Sequence, residues 1–123
     1  MKINEKKIAI VGVSSNTRKY GYRIFHDMLS KGFQVYGINP RIGEVAGAKL
    51  YKSMGELPAV PDLVITVVQP DVTERIVEEC IELGVKEIWM QPGSESEQAV
   101  AKARDAGMNV VAHACFMVHQ GIW

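Results

Sequence analysis

Lys7-Ile8-Ala9-Ile10-Val11-Gly12-Val13, running into Ser14-Ser15-Asn16-Thr17-Arg18, is the stretch on which the fold turns. A continuous apolar run of this length suits a strand buried on both faces, the environment of a parallel sheet. The glycine near its end, the polar loop after it and the helical pattern beyond mark a strand–turn–helix unit. From Tyr20 to Lys31, Ile24, Phe25, Met28 and Leu29 share one helical face. Lys31-Gly32 closes that helix, the glycine taking the left-handed position just past its end.

The same alternation continues outward. A second strand is expected at Phe33 to Ile38, stopped by Asn39-Pro40, and a third at Asp62 to Val68. The glycine-rich span Arg41 to Val60 reads as a long connection with at most one helical turn. The next helix opens near Pro70, with Asp71 and Glu74 in a capping-box pattern, and ends at Gly84. A fourth strand follows at Lys86 to Met90. Ser94 and Glu97 repeat the capping pattern for a helix through Ala106, which Gly107 closes before a fifth strand at Met108 to Ala112. Crossover helices between apolar strands require parallel pairing with right-handed connections. The expected fold is α/β and Rossmann-like: a doubly wound five-stranded parallel sheet, order 3-2-1-4-5, in three α/β/α layers.

The 123 residues suit one domain spanning 1–123, and 47% hydrophobic with 23% charged residues is globular composition. Lys plus Arg and Asp plus Glu number 14 each, so no long-range field draws in nucleic acid or a membrane surface. Met1 to Lys7 does not read as a signal peptide, and no run approaches the roughly 18 apolar residues of a membrane span. Cys80 and Cys115 form no CxxC pair and read as reduced thiols, which makes the cytoplasm the expected compartment.

In an open parallel sheet the ligand crevice lies beyond the carboxyl ends of the strands, where the order reverses. With the expected order that point falls between the first and fourth strands. The converging loops are Gly12-Val13-Ser14-Ser15-Asn16-Thr17-Arg18, Asn39-Pro40-Arg41, Val68-Gln69-Pro70 and Gln91-Pro92-Gly93-Ser94. The first offers free N–H groups and a helix N-terminus to a phosphate. It carries one motif glycine, so neither G-x-G-x-x-G nor the Walker pattern is met. At the end of the second strand an NAD-binding unit usually carries a carboxylate for the ribose diol, and this chain has Asn39-Pro40-Arg41. Arg41 instead suits a phosphorylated ribose, by a forked, charge-assisted contact. Coenzyme A (CoA) and NADP both carry one.

Val11-Gly12-Val13-Ser14, Asn39-Pro40, Gly47, Tyr51, Pro61-Asp62-Leu63-Val64, Trp89-Met90-Gln91-Pro92-Gly93 and Ala106-Gly107-Met108, in this order and spacing, resemble the small CoA-binding proteins. Those are similar to the N-terminal CoA-binding domain of the succinyl-CoA synthetase α-subunit. The resemblance runs from Lys7 to Cys115. It implies CoA or an acyl-CoA as ligand, with Gly12, Val13, Ser14, Ser15, Asn16 and Arg18 about the phosphates and Asn39, Pro40 and Arg41 near the adenosine and its phosphate. Val68, Gln69 and Pro70 would border the nucleotide, and Gln91, Pro92 and Gly93 the pantetheine. Neither the phosphohistidine ligase domain nor the grasp-fold subunit of the synthetase is present in these residues, so the resemblance implies a stand-alone, non-catalytic module. The alternative is an NADP-binding oxidoreductase fragment or redox sensor, which needs a substrate pocket that a second domain usually builds.

His113, Cys115 and His119 form an H-x-C-x₃-H cluster, readable as metal ligands or as an imidazole-activated thiol. With no fourth ligand in sequence reach, packing is the simpler reading, and no metal site or catalytic residue is assigned. Cys80 reads as core, His26 as surface and Trp89 as packed against the sheet. Glu74, Glu78, Glu79 and Glu82 read as a solvated helix face. The apolar tail Phe116 to Trp123 is expected to dock on its own domain or on another subunit, making a homo-oligomer possible.

Overall fold

The computed structural model describes residues 1–123. Along the chain run β1 (Lys7–Val11), α1 (Tyr20–Ser30), β2 (Gln34–Ile38), β3 (Glu44–Val45), β4 (Ala48–Tyr51), β5 (Leu63–Thr66), α2 (Pro70–Leu83), β6 (Glu87–Met90), α3 (Glu97–Asp105), β7 (Asn109–Val111) and α4 (Phe116–His119). Residues of β1 alternate between two cores. Ala9 and Val11 join Val64, Ile76, Val77 and Cys80 on the face covered by α2 and α3. Ile8 and Ile10 join Ile24, Phe25, Met28 and Phe116 on the face covered by α1 and α4. The three-layer Rossmann-like arrangement follows, since a strand apolar on both sides demands cover on both.

The sheet has seven strands in the order β3-β4-β2-β1-β5-β6-β7, parallel except for β3. This corrects the expected five strands in the order 3-2-1-4-5. The strand expected outermost beyond β2 is β5, which pairs with the other side of β1 (Ile8 with Leu63, Val11 with Thr66). Burial is the reason. All four residues of β5 are buried, whereas β2 begins exposed and only its last two residues are buried. A strand buried along its whole length gains most at the centre of the sheet. Beyond β2 lies β4, from the span read as connection: Arg41 to Val60 contains the β3–β4 hairpin and a 3₁₀ turn at Met54–Glu56. Ala46 and Gly47, both with positive φ, make its two-residue turn.

Two helix starts also differ from expectation. Gln69 is the N-cap of α2 and Pro70 opens its first turn, so Asp71 and Glu74 sit inside the helix and form no capping box. Ser96, not Ser94, caps α3, its hydroxyl accepting the Ala99 N–H at 3.0 Å. Ser94 is buried instead. Its hydroxyl contacts Thr66 Oγ1 at 2.9 Å and donates toward the Gln91 carbonyl at 2.7 Å, tying the loop after β6 to the end of β5. No helix is long and apolar enough to cross a membrane.

Candidate functional site

The observed order moves the reversal point. The chain leaves β1 toward β2 and leaves β5 toward β6, so the crevice opens between the carboxyl ends of β1 and β5, not between the first and fourth expected strands. Gly12 lies at its floor. With φ +107° it adopts a conformation that L side chains rarely take, and an added Cβ would lie 2.3 Å from the Val67 carbonyl. Gly21, at the start of α1, approaches just as closely, its added Cβ falling 2.1 Å from the Gly12 carbonyl oxygen. Two glycines thus let the first turn of α1 sit directly on the loop after β1.

Beyond Gly12 the loop is held by its own side chains. Ser14 Oγ accepts from Asn16 N–H and Asn16 Oδ1 from Arg18 N–H, each at 3.0 Å. The N–H groups of Ser14, Ser15 and Thr17 have no partner within the chain. Asn39 stitches this loop to the next: its Nδ2 donates to Val13 O at 2.7 Å, while its Oδ1 accepts from Arg41 N–H at 2.7 Å and Ile42 N–H at 3.2 Å. Asn39 thus holds the two loops together, and it lines two of the cavities at this edge as well.

Three cavities adjoin along this edge. One of about 740 Å³ lies by the β2 and β4 ends and includes Gly12, Asn39, Pro40, Arg41, Lys52 and Val68. A second, about 590 Å³, holds Gly12, Val13, Ser14, Arg18, Lys19 and Tyr20, sharing Gly12, Asn39 and Val68 with the first. The third, about 260 Å³, is lined by Gln91, Pro92 and Cys115 among apolar neighbours, and shares Tyr20 and Val67 with the second. From the end of β2 to that of β6 are three strand spacings, about 14 Å. Ser15, Asn16, Gln69, Pro70 and Gly93, though in the right loops, line none of the three, and the Gly93 N–H is taken by Glu95 Oε2 at 2.8 Å.

Charge is distributed unevenly along the trough. Arg18, Lys19, Arg41 and Lys52 are exposed, and none forms a salt bridge. Glu78, Glu79 and Glu82, read from sequence as a solvated face, line the far wall of the first cavity together with Arg75. Burial and the neighbouring Glu82 carboxylate raise Glu79 above the ordinary carboxylate range, with Arg75 opposing. Lys52 was missed in the sequence because it follows β4, whose Ala48-Lys49-Leu50-Tyr51 run is too short to announce a strand. Since β4 runs parallel to β2, the residues after it emerge at the same edge.

The histidine–cysteine cluster does not converge. His113, at φ +64°, faces Glu95 Oε1 at 3.5 Å, and the ring of His119 lies 5.2 Å from that of Trp89. Cys115 is half-buried, its sulfur 3.4 Å from Gln91 Nε2. Trp89 packs as expected, buried edge-on against Phe116, its Nε1 donating to the Ala114 carbonyl at 2.7 Å. The tail docks on its own domain. Phe116 and Met117 are buried, and Trp123 Nε1 donates to Asp27 Oδ2 at 2.6 Å.

Fold and crevice together define a Rossmann-type α/β domain with its crevice at the β1–β5 switch point. Comparison with known proteins narrows the class: residues 6–120 match the CoA binding domain, and the chain belongs to that family. It is 33% identical to the α-subunit of ADP-forming acetate–CoA ligase II of Pyrococcus furiosus over 91% of this chain and 27% of that subunit. The chain thus spans about a quarter of the length of that ligase subunit. Among solved structures, a conserved hypothetical protein of Pyrococcus furiosus superposes with TM-score 0.88 at 43% identity, covering 93% of this chain and 98% of that one. A hypothetical protein of Pyrococcus horikoshii gives TM-score 0.88 at 35% identity, over 95% and 83%.

Proposed function

We propose that the protein binds coenzyme A along the trough at the carboxyl edge of its sheet, as a binding module with no reaction of its own. The observation that carries this is the polarity of the trough. Unpaired cations and free N–H groups occupy the β2–β1 side, and a small apolar cavity occupies the β6 side. CoA has the matching polarity: a phosphorylated ribose and diphosphate at one end and a thiol at the other. In this reading Arg41 and Lys52 hold the ribose phosphate, and the N–H groups of Ser14, Ser15 and Thr17, with Arg18, hold the diphosphate. The arm of the ligand then runs past Val67 and Val68 toward Gln91 and Pro92. Family membership and the likeness to the acetate–CoA ligase subunit support the same ligand.

The test is thermal stabilisation by CoA against dephospho-CoA, which lacks the ribose phosphate. A ligand that binds only the folded state raises Tm with concentration. CoA is expected to give the larger shift, and Arg41→Ala to bring the two ligands together by weakening CoA about tenfold or more, as one charge-assisted contact implies. Equal shifts in the wild type, unchanged by Arg41→Ala, would remove that assignment. NADP stabilising more than CoA would reverse the choice of ligand.

A further inference from the structure

Two hydrogen bonds pin the residues on either side of Cys115 to the end of β6. The Ala114 carbonyl accepts from Trp89 Nε1, and the Phe116 N–H donates to Gln91 Oε1, each at 2.7 Å. The sulfur between these anchors is half-buried and lines the third cavity, with Val67, Val118 and Trp123 among the apolar walls. A cysteine fixed from both sides needs little rearrangement to meet a sulfur brought to it. Cys80, the other thiol of the chain, is fully buried in the core on the opposite face of the sheet.

A second feature of the cavity points to a ligand. Gln91 is 5% exposed, and its bond to Phe116 fixes which way the amide faces. Its Nε2 carries two hydrogens and finds no oxygen or nitrogen acceptor. Its one contact is the Cys115 sulfur at 3.4 Å, a weak acceptor. A buried donor left short in this way is costly until an incoming group completes it. The arm of CoA has an amide carbonyl a few bonds from its sulfur, so one ligand offers this N–H an acceptor and Cys115 a partner. An N–H on the Cys115 sulfur also supports the charge that sulfur carries while attacking a disulfide, since the thiolate is the nucleophile.

We infer that Cys115 is a reversible attachment point for CoA, joined to it by a mixed disulfide when the ligand arrives as CoA disulfide. The inference rests on the reading of the trough as a CoA site, in which the thiol end reaches this cavity past Tyr20 and Val67. No oxidant is needed beyond the disulfide itself. Cys115 loses its proton and attacks one sulfur of CoA disulfide. The Cys115–CoA bond forms as the old S–S bond breaks, and the second CoA leaves as a thiolate that takes up the proton. Cys115 is oxidised, the departing CoA is reduced, and another thiol reverses the step. Tyr20 and Val118, each 61% exposed, put the cavity at the surface, where the second half of the disulfide stays in solvent. Selectivity comes from the nucleotide, which, once held in the trough, raises the local concentration of its disulfide at Cys115.

Mass spectrometry of the reduced, desalted protein tests this after incubation with CoA disulfide or with pantethine, the disulfide of the same arm without its nucleotide. The expected product gains one CoA less two hydrogen atoms per chain, on the peptide holding Cys115, and dithiothreitol removes it. At equal concentrations CoA disulfide is expected to react about a hundredfold faster than pantethine, as the effective concentration of a bound ligand implies. Arg41→Ala is expected to slow the CoA disulfide reaction about tenfold, the loss of one charge-assisted contact, and to leave the pantethine rate unchanged. Equal rates for the two disulfides, or modification of Cys80 in the folded protein, would overturn the inference. Absence of the adduct while CoA still raises the Tm of the reduced protein overturns the inference alone. Absence of both the adduct and the rise in Tm overturns the reading of the trough as well.

Discussion

Gly21→Ala sets two effects of opposite sign against each other. In the first turn of α1, replacing glycine by alanine gains at most about 1 kcal/mol of helix propensity. Yet the new methyl would lie 2.1 Å from the Gly12 carbonyl oxygen, so backbone must part from backbone by about 1 Å. Gly12 has no slack to give. Its N–H is bonded to the Ile38 carbonyl at 3.2 Å, and its α-carbon already sits against the Val67 carbonyl. Forced overpacking costs about 1–3 kcal/mol, and here it falls on main chain, so the cost exceeds the propensity gain. The expected net loss is about 2 kcal/mol, measured by urea unfolding, or a fall in Tm of roughly 8 °C at about 4 °C per kcal/mol for a domain of this size. Because the displaced loop is the one carrying Ser14 to Arg18, CoA affinity is expected to fall more than tenfold in the same variant. Gly43→Ala, where an added Cβ meets nothing within 4 Å, is the control and is expected to be neutral or slightly stabilising. A Gly21→Ala protein as stable as the wild type, with unchanged CoA affinity, would refute the close approach and the role given to it.

Burial, with help from Glu79, pushes the Cys80 thiol up to about 12 from 9.0, so the folded protein keeps a proton that the unfolded chain releases above pH 9. Stability from the buried thiol is therefore complete below pH 9 and lost as pH rises toward 12. The stability difference between wild type and Cys80→Ala should shrink by about 1.4 kcal/mol between pH 8 and pH 10, and a constant difference would contradict it. Cys115 should react with a thiol reagent in the native state while Cys80, fully buried, does not; equal labelling would place Cys80 wrongly. Ser94→Ala should cost about 1–3 kcal/mol in urea unfolding by leaving buried Thr66 and the Gln91 carbonyl short of a partner, and a loss below 0.5 kcal/mol, on the order of a surface change, would deny that network its role. Trp89→Phe, which strands the Ala114 carbonyl, should cost about 2 kcal/mol and loosen the tail, seen as faster proteolysis near Ala114; unchanged stability and cleavage would show that the bond holds nothing.

Much of the fold was legible because β1 is apolar on both faces and each helix carries its own stop. Gly32, Gly84 and Gly107 all have positive φ just past the ends of α1, α2 and α3, as their places in the sequence suggest. The order of strands was less legible. Crossover helices specify parallel pairing but not which side of β1 the returning strand takes, and the decisive cue is relative burial: Leu63 to Thr66 is the more uniformly apolar strand and claims the centre. The α3 cap differs from expectation because a rival hydroxyl stands two residues away: Ser94 is drawn to Thr66 and the Gln91 carbonyl, which leaves Ser96 to accept the Ala99 N–H. The site shows the same pattern. Loops after long strands, Gly12 to Arg18 and Asn39 to Arg41, are placed at the carboxyl edge by position, whereas the placing of Lys52 depends on a four-residue strand. Tyr20, Val118 and Trp123 meet only through the folded tail, which no local spacing encodes.

The central claim is that CoA lies along the trough from Arg41 to Gln91. A ¹⁵N–¹H NMR titration of the labelled protein with CoA in reducing buffer tests it most directly, because each backbone amide reports separately. Shifts concentrated at Gly12 to Arg18, Arg41 to Ile42, Lys52 to Ser53, Val67 to Gln69 and Gln91, with β7 and the exposed face of α3 unmoved, are the predicted result. Saturable binding with shifts confined to α2 and α3, or no shifts at millimolar CoA, would contradict the account.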